Sequence, residues 1–187
     1  MAVPNPKRLV TIEEFHQMAE AGYFLQDERV ELIRGEIVEM PPMGSRHIAC
    51  VIQLIRLLSG LIPRVLLSPQ CPLQLPGCET EPQPDLALLW PRDDLASNPP
   101  VAADVPLVIE VADSSLSQDR DVKIPLYAES GIQEAWLVDV RKGSGTISVY
   151  RRPSPQGYQE VREYRRGEEI SPEAFPDARF PVASILG

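Results

Sequence analysis

Three stretches of the chain carry apolar residues almost without interruption, and they set the frame for everything else. Asp85 to Trp90, with its Leu86-Ala87-Leu88-Leu89 run, and Pro106 to Ala112 read as strands of the fully buried type, and Glu134 to Val140 reads as a third strand. Shorter β-prone segments surround them. Val30 to Arg34 and Glu36 to Met40 flank Arg34-Gly35 as a hairpin that ends at Pro41-Pro42. Further strands are expected at Arg64 to Ser68, at Leu73 to Leu75, at Thr146 to Arg152 after the Lys142-Gly143-Ser144-Gly145 turn, and near Tyr158 to Tyr164.

Three segments have helical signals instead. Thr11 and Glu14 form a capping box ahead of a Phe15, Met18, Ala19 stripe, and Gly22 supplies the stop. Ile48, Ile52, Ile55 and Leu58 recur at helical spacing from about Ser45 to Leu61, and Pro63 closes that helix. A third helix ends near Ser130 before Gly131, with Asp119 or Asp121 as its cap and Pro125 early enough for its missing N–H to cost little.

The resulting order is helix, hairpin, helix, several strands, helix, strand meander. It is neither a strict β-α alternation nor an all-β pattern, so the fold class expected is α/β of the mixed α+β kind, a central mixed sheet flanked by helices. With 187 residues and 43% hydrophobic content the chain can bury a full core. One domain over 1–187 is expected, with a helical extension at 1–29, a core at 30–150 and C-terminal strands and a proline-punctuated tail at 151–187.

Composition then removes several classes. No run reaches the roughly 18 to 20 apolar residues of a membrane helix, and Met1 to Arg8 is polar rather than a charged-then-apolar signal, so the expected location is the cytoplasm. Cys50, Cys71 and Cys78 have neither disulfide-framework nor zinc-site spacing, and Cys50 reads as core. A net charge of −9 argues against coating nucleic acid through bulk charge. A local basic groove stays open, because Arg151, Arg152, Arg162, Arg165 and Arg166 lie close together in sequence and arginine suits bidentate phosphate contacts; a solvated face of a twisted hairpin accounts for them more simply.

Chemistry shows where the apolar runs are broken. Glu110 sits inside Val108-Ile109-Glu110-Val111-Ala112, where an unpaired carboxylate costs several kcal/mol, so it requires a metal, a cation or a proton. Asp85 poses the same question at the head of the Leu86 run. Lys123, one of three lysines, follows the Glu110 strand on the next helix, and Tyr127 shares its face four residues on. One reading has Asp85 and Glu110 holding Mg²⁺ or Mn²⁺ while Lys123 positions or activates an attacking water. The other has a buried Glu110–Lys123 ion pair with Asp85 capping a turn.

Longer motifs favour the first. Glu31-Leu-Ile-Arg-Gly35-Glu-Ile, His47, Pro84-Asp85, Val108-Ile-Glu110-Val-Ala-Asp-Ser114-Ser, Asp119 to Lys123, Tyr127 and Gly131-Ile-Gln-Glu-Ala-Trp136-Leu-Val-Asp139 occur in this order. Over Glu31 to Val149 the chain thereby resembles the bacterial Uma-type family of putative restriction endonucleases, within the PD-(D/E)xK nuclease superfamily. The resemblance implies a restriction-endonuclease-like core with an added β-hairpin and a C-terminal strand meander. It implies Asp85 and Glu110 as metal carboxylates. The usual lysine position, two residues after the glutamate, is Ala112 here, and Lys123 takes that role as in relatives whose lysine has moved to the next helix.

Glu31 matches an acidic family position and is expected as a further metal or water ligand, with a solvated hairpin carboxylate as the competing reading. His47 matches too, ranked below Glu31 because a histidine at a helix start more often packs or hydrogen-bonds. Tyr127 and Trp136 are expected in the core rather than stacked on bases. The function implied is a Mg²⁺- or Mn²⁺-dependent endonuclease acting on DNA, with no membrane partner, and a homodimer if both strands of a duplex are cut. The rival class is a catalytically inactive nuclease-fold module for binding or assembly.

Overall fold

The structure is a computed structural model, and it describes residues 7–25 and 27–187. The opening polar stretch therefore lies outside the described residues as far as Pro6. Helix α1 (Ile12–Glu20) starts at the Thr11/Glu14 capping box, whose reciprocal hydrogen bonds satisfy two backbone donors. It packs through Phe15 on a hairpin of β1 (Val30–Ile33) and β2 (Glu36–Glu39). Arg34 and Gly35 both have positive φ at the turn, and a Cβ at Gly35 would meet Leu9 Cβ at 2.7 Å.

The central sheet has six strands in the order β3 (Leu66–Ser68), β4 (Leu86–Leu89), β5 (Leu107–Ala112), β6 (Glu134–Asp139), β7 (Thr146–Ser154) and β8 (Gly157–Arg165). β5 and β6 pair parallel and the other neighbours antiparallel, which makes the sheet mixed as expected. A parallel pair needs a crossover, and here it is helical: α3 (Leu116–Gln118), a π turn (Asp119–Lys123) and α4 (Ile124–Glu129).

Each sheet face has its own core. Leu86, Leu88, Leu107, Ile109, Val111, Trp136 and Val138 face α2 (Ser45–Leu58) and α5 (Val182–Leu186). Ala87, Leu89, Val108, Ala112, Ala135 and Leu137 face α4, where they meet Ile124 and Tyr127. The two-residue alternation of a strand thus explains why runs buried on both faces look continuously apolar.

Two expectations, the strand at Leu73 to Leu75 and the cap at Asp119 or Asp121, need correction, and α2 and the tail gain detail that the sequence did not carry. α2 turns His47, Cys50, Val51, Leu54 and Leu58 inward; of the residues noted at helical spacing, Leu58 is buried and Ile55 packs on the core, while Ile48 and Ile52 are 43% and 57% exposed. The outer face carries Ser45, Arg46, Gln53 and Arg56 together with these two isoleucines, so two large apolar residues stand on an otherwise polar side. Leu73 to Leu75 forms only isolated bridges, at Gln74 and Leu75, although Leu73 and Leu75 are buried. The crossover helix begins at Leu116, so neither Asp119 nor Asp121 is its cap. The tail is folded: β9 (Glu169–Ile170) pairs with β10 (Phe180–Pro181), and Phe175, Val182 and Ile185 complete the core beneath α2.

Candidate active site

Asp85 stands one residue before β4, and Glu110 lies within β5. The β4–β5 register pairs Leu86 with Ile109; extended by one residue, it sets Asp85 opposite Glu110. Residues opposite one another on an antiparallel pair project to the same face. That face is the one α4 covers, since Glu110 alternates with Val108 and Ala112 rather than with Ile109 and Val111.

The crossover helix supplies the other half. Pro125 lacks an N–H and crowds the carbonyl one turn back, and the chain widens just before it into the π turn, closed by a hydrogen bond from Ile124 N–H to the Asp119 carbonyl. Four residues overshoot one turn of an α-helix and fall short of one turn of a π-helix. The π turn therefore offsets the drift of the α turn that follows it. Asp119, Lys123 and Tyr127 all end up buried, in a row facing the sheet.

Lys123 Nζ donates to Glu31 Oε1 at 2.8 Å and lies 3.5 Å from Glu110 Oε1. Tyr127 donates its hydroxyl hydrogen to Glu110 Oε1 at 2.5 Å. Glu31 Oε1 also accepts from Gln83 N–H at 2.7 Å, which ties the hairpin to the segment entering β4. Asp85 Oδ2 accepts from Val111 N–H at 2.8 Å, and its Oδ1 lies 2.8 Å from His47 Nε2. Ser115 donates to Asp119 Oδ2 at 2.5 Å. His47 comes from the first turn of α2, and its Nδ1 is buried with no hydrogen-bond partner among the described residues.

The structure thus brings Glu31, Asp85, Glu110 and Lys123 together and adds Asp119, His47 and Tyr127. Glu31, only 1% exposed, is no solvated hairpin carboxylate. The Glu110–Lys123 ion pair of the alternative reading is present. Asp85, however, caps no turn; it accepts from β5 and faces His47. Asp119 is the residue that sequence reasoning missed as a site member, and its signal was the four-residue spacing to Lys123 and Tyr127. Tyr127 and Trp136 are both in the core, and the Trp136 indole donates to Glu134.

Charge is the distinctive feature. Four buried carboxylates face one ammonium group. Burial, reinforced by Asp119, Asp85 and Glu31 against the opposing pull of Lys123, pushes the Glu110 carboxyl well above the usual range. Burial likewise raises Asp119, with Lys123 and the Ser115 hydrogen bond acting the other way. For Lys123 burial alone would lower the pKa, but Glu110, Glu31 and Asp119 outweigh it and hold the ammonium above its ordinary value. Lys123 is therefore a fixed cation and hydrogen-bond donor at neutral pH.

A cavity of about 50 Å³ opens beside these groups, lined also by Gly44 and the Asp113–Ser115 loop. It has room for a few water-sized occupants. Among the described residues, no three His, Cys, Asp or Glu side chains form a metal cage by themselves. Mg²⁺ does not need one: it is commonly held by one or two carboxylates, with waters and substrate phosphates completing an octahedron. The excess of negative charge and the all-oxygen donor pair of Asp85 and Glu110 fit such an ion.

A mixed sheet with two facing carboxylates on adjacent strands and a lysine delivered by the crossover helix defines a protein of the nuclease-like α/β class. The chain belongs to the Uma2 family, described as "Putative restriction endonuclease", which it matches over residues 12–183. Among solved structures it is similar to a putative nuclease belonging to DUF820 from Anabaena variabilis ATCC 29413. The TM-score is 0.74 at 19% identity, over 95% of this chain and 97% of that one, a likeness of fold. Curated proteins returned no match. Among the described residues, no helix is long and apolar enough to cross a membrane.

Proposed function

We propose that the protein is a Mg²⁺- or Mn²⁺-dependent endonuclease that hydrolyses phosphodiester bonds of DNA. The observation that carries this reading is the buried cluster of four carboxylates around one lysine, opening on a small cavity, in a chain of this family. Asp85 and Glu110 would hold the ion. When bound, the ion supplies a Lewis acid for the scissile phosphate and a lowered pKa for water.

The chain's own groups do the rest. Lys123, kept protonated, is unsuited to act as a general base; it donates a hydrogen bond to the attacking water or to a phosphate oxygen and offsets the charge that develops there. Glu31 takes the Lys123 proton donor and the Gln83 N–H on Oε1, which positions the lysine and leaves Oε2, beside the cavity, as a further metal or water ligand. Tyr127 fixes Glu110 from the core side, and His47 and Val111 N–H fix Asp85. A homodimer would cut both strands of a duplex; the exposed Ile48 and Ile52 on the outer face of α2 offer an apolar surface for the second copy.

Nicking of supercoiled plasmid with Mg²⁺ or Mn²⁺ tests the reading. Wild type is expected to cleave, with Asp85→Ala and Glu110→Gln reduced to the level of an EDTA control while their circular dichroism stays native. Undiminished cleavage by either folded variant would overturn it.

A further inference from the structure

The arginines of this acidic chain are unevenly placed. Beside the carboxylate cluster, the sheet face left open next to the crossover helix forms a groove of about 650 Å³, floored by β6, β7 and β8. Leu116 and Arg120, on the same helical segment that presents Asp119 and Lys123 to the cavity, form one wall. Arg141, in the β6–β7 turn, and Arg165 and Arg166, at the end of β8, line the rest. Arg46 stands on the first turn of α2, and its partner Asp113 lines the cavity itself.

Four of these guanidinium groups are held alike. Arg46 bonds Asp113, Arg120 bonds Asp121, Arg141 bonds Asp139 and Arg165 bonds Glu163, each through Nε and Nη2. In none of the four does Nη1 make a hydrogen bond among the described residues. A guanidinium has five N–H donors, so each keeps a second edge for a planar, two-oxygen acceptor. All four side chains are about half exposed or more. Exposed ion pairs of this kind add little stability, but they hold long side chains in place before a ligand arrives.

We propose that Arg46, Arg120, Arg141, Arg165 and Arg166 form the phosphate-contact track that carries a nucleic-acid backbone across the carboxylate cluster. This deepens the nuclease reading and rests on it. A track in which four of the five arginines are braced by a carboxylate, and Arg166 by the Gly187 carbonyl, also reconciles the net charge of −9 with an anionic substrate: the bracing acids cancel bulk attraction while bidentate edges remain for phosphates passing the site.

Fluorescence anisotropy with a fluorescein-labelled 20-base-pair duplex, and with one strand of it, measures the track without cleavage when EDTA is present. The triple variant Arg120→Gln, Arg141→Gln, Arg165→Gln is compared with wild type across a salt series. Each lost duplex phosphate contact removes about 0.9 from the slope of log K against log salt, so three remove about 2.7 and weaken binding about 500-fold at 0.1 M salt. A control with the same change in charge, Arg56→Gln, Arg152→Gln, Arg162→Gln, is expected to bind as wild type. Equal loss in both triple variants, no loss in the first, or no binding of either probe by wild type would overturn the track. Plasmid cleavage run in parallel separates the two ideas. A wild type that cleaves while the groove variant binds normally leaves the nuclease standing without this track, and a groove-dependent binder that never cleaves leaves the track without the nuclease.

Discussion

Replacing Lys123 by alanine removes the one ammonium group from a cluster in which Glu31 is 1% and Glu110 2% exposed. In the native protein the cost of desolvating these charges is met by contacts of 2.8 and 3.5 Å, each worth roughly 5 kcal/mol in gross attraction at an effective dielectric near 20. Removing one partner of a buried pair typically costs about 3–5 kcal/mol, because the remaining charge stays buried without compensation. At about 2.1 cal/mol/K of unfolding entropy per residue, the 187-residue chain should lose about 8–13 °C in Tm. Differential scanning calorimetry of metal-free protein at pH 7 measures this. Adding Glu31→Gln to Lys123→Ala neutralises the carboxylate that has lost its 2.8 Å partner and should recover a good part of the loss. A Tm drop below about 2 °C, or one that Glu31→Gln leaves unchanged, would refute the claim that Lys123 neutralises this carboxylate.

Glu110→Gln alone has the opposite sign. Because the folded-state pKa of Glu110 lies well above 4.5, its stabilising contribution is fully present below about pH 4.5 and is lost as pH rises through the raised value. The Tm advantage of the glutamine variant over metal-free wild type should therefore grow from pH 5 to pH 8 by calorimetry, and a pH-independent difference would contradict it. Glu134 is fully buried, accepts from the Trp136 indole and Arg151, and takes the Glu173 N–H at 2.6 Å. Glu134→Ala should cost about 3 kcal/mol in urea unfolding by leaving those donors unpaired, with plasmid nicking at permissive temperature unchanged. His47→Ala should weaken metal binding about tenfold or more while leaving Glu110 in place, since His47 orients Asp85 from behind; unchanged affinity would assign His47 to packing alone.

Much of the fold was legible because the buried strands are short, apolar on both faces and bounded by proline, glycine or aspartate. The mixed sheet followed from three such strands and one helical crossover. What stayed hidden has physical reasons. The apolar spacing of α2 announced a helix but mixed residues of two sides, the exposed Ile48 and Ile52 with the inward Leu58, and only the sheet and α5 settle which side is covered. The C-terminal elements run for two to five residues, too short for any periodicity to accumulate, yet Phe175, Val182 and Ile185 fill the core.

At the site, Asp85 and Glu110 declared themselves as carboxylates inside or beside apolar strands. Asp119 did not, because an aspartate near a helix start reads as a cap; only the π turn before Pro125 turns it into line with Lys123 and Tyr127. The partnership of Glu31 with Lys123 joins residues 92 positions apart, a closure that local pattern cannot reveal.

The central claim is that Asp85 and Glu110 hold a divalent ion. Electron paramagnetic resonance of free Mn²⁺ counts bound ions directly, and a short DNA duplex in the sample lets phosphate oxygens complete the coordination. The account expects wild type to remove Mn²⁺ from solution in stoichiometric amount and Asp85→Ala, folded and in the same mixture, to leave it free. Equal uptake by both proteins, or none by wild type with the duplex present, would contradict it.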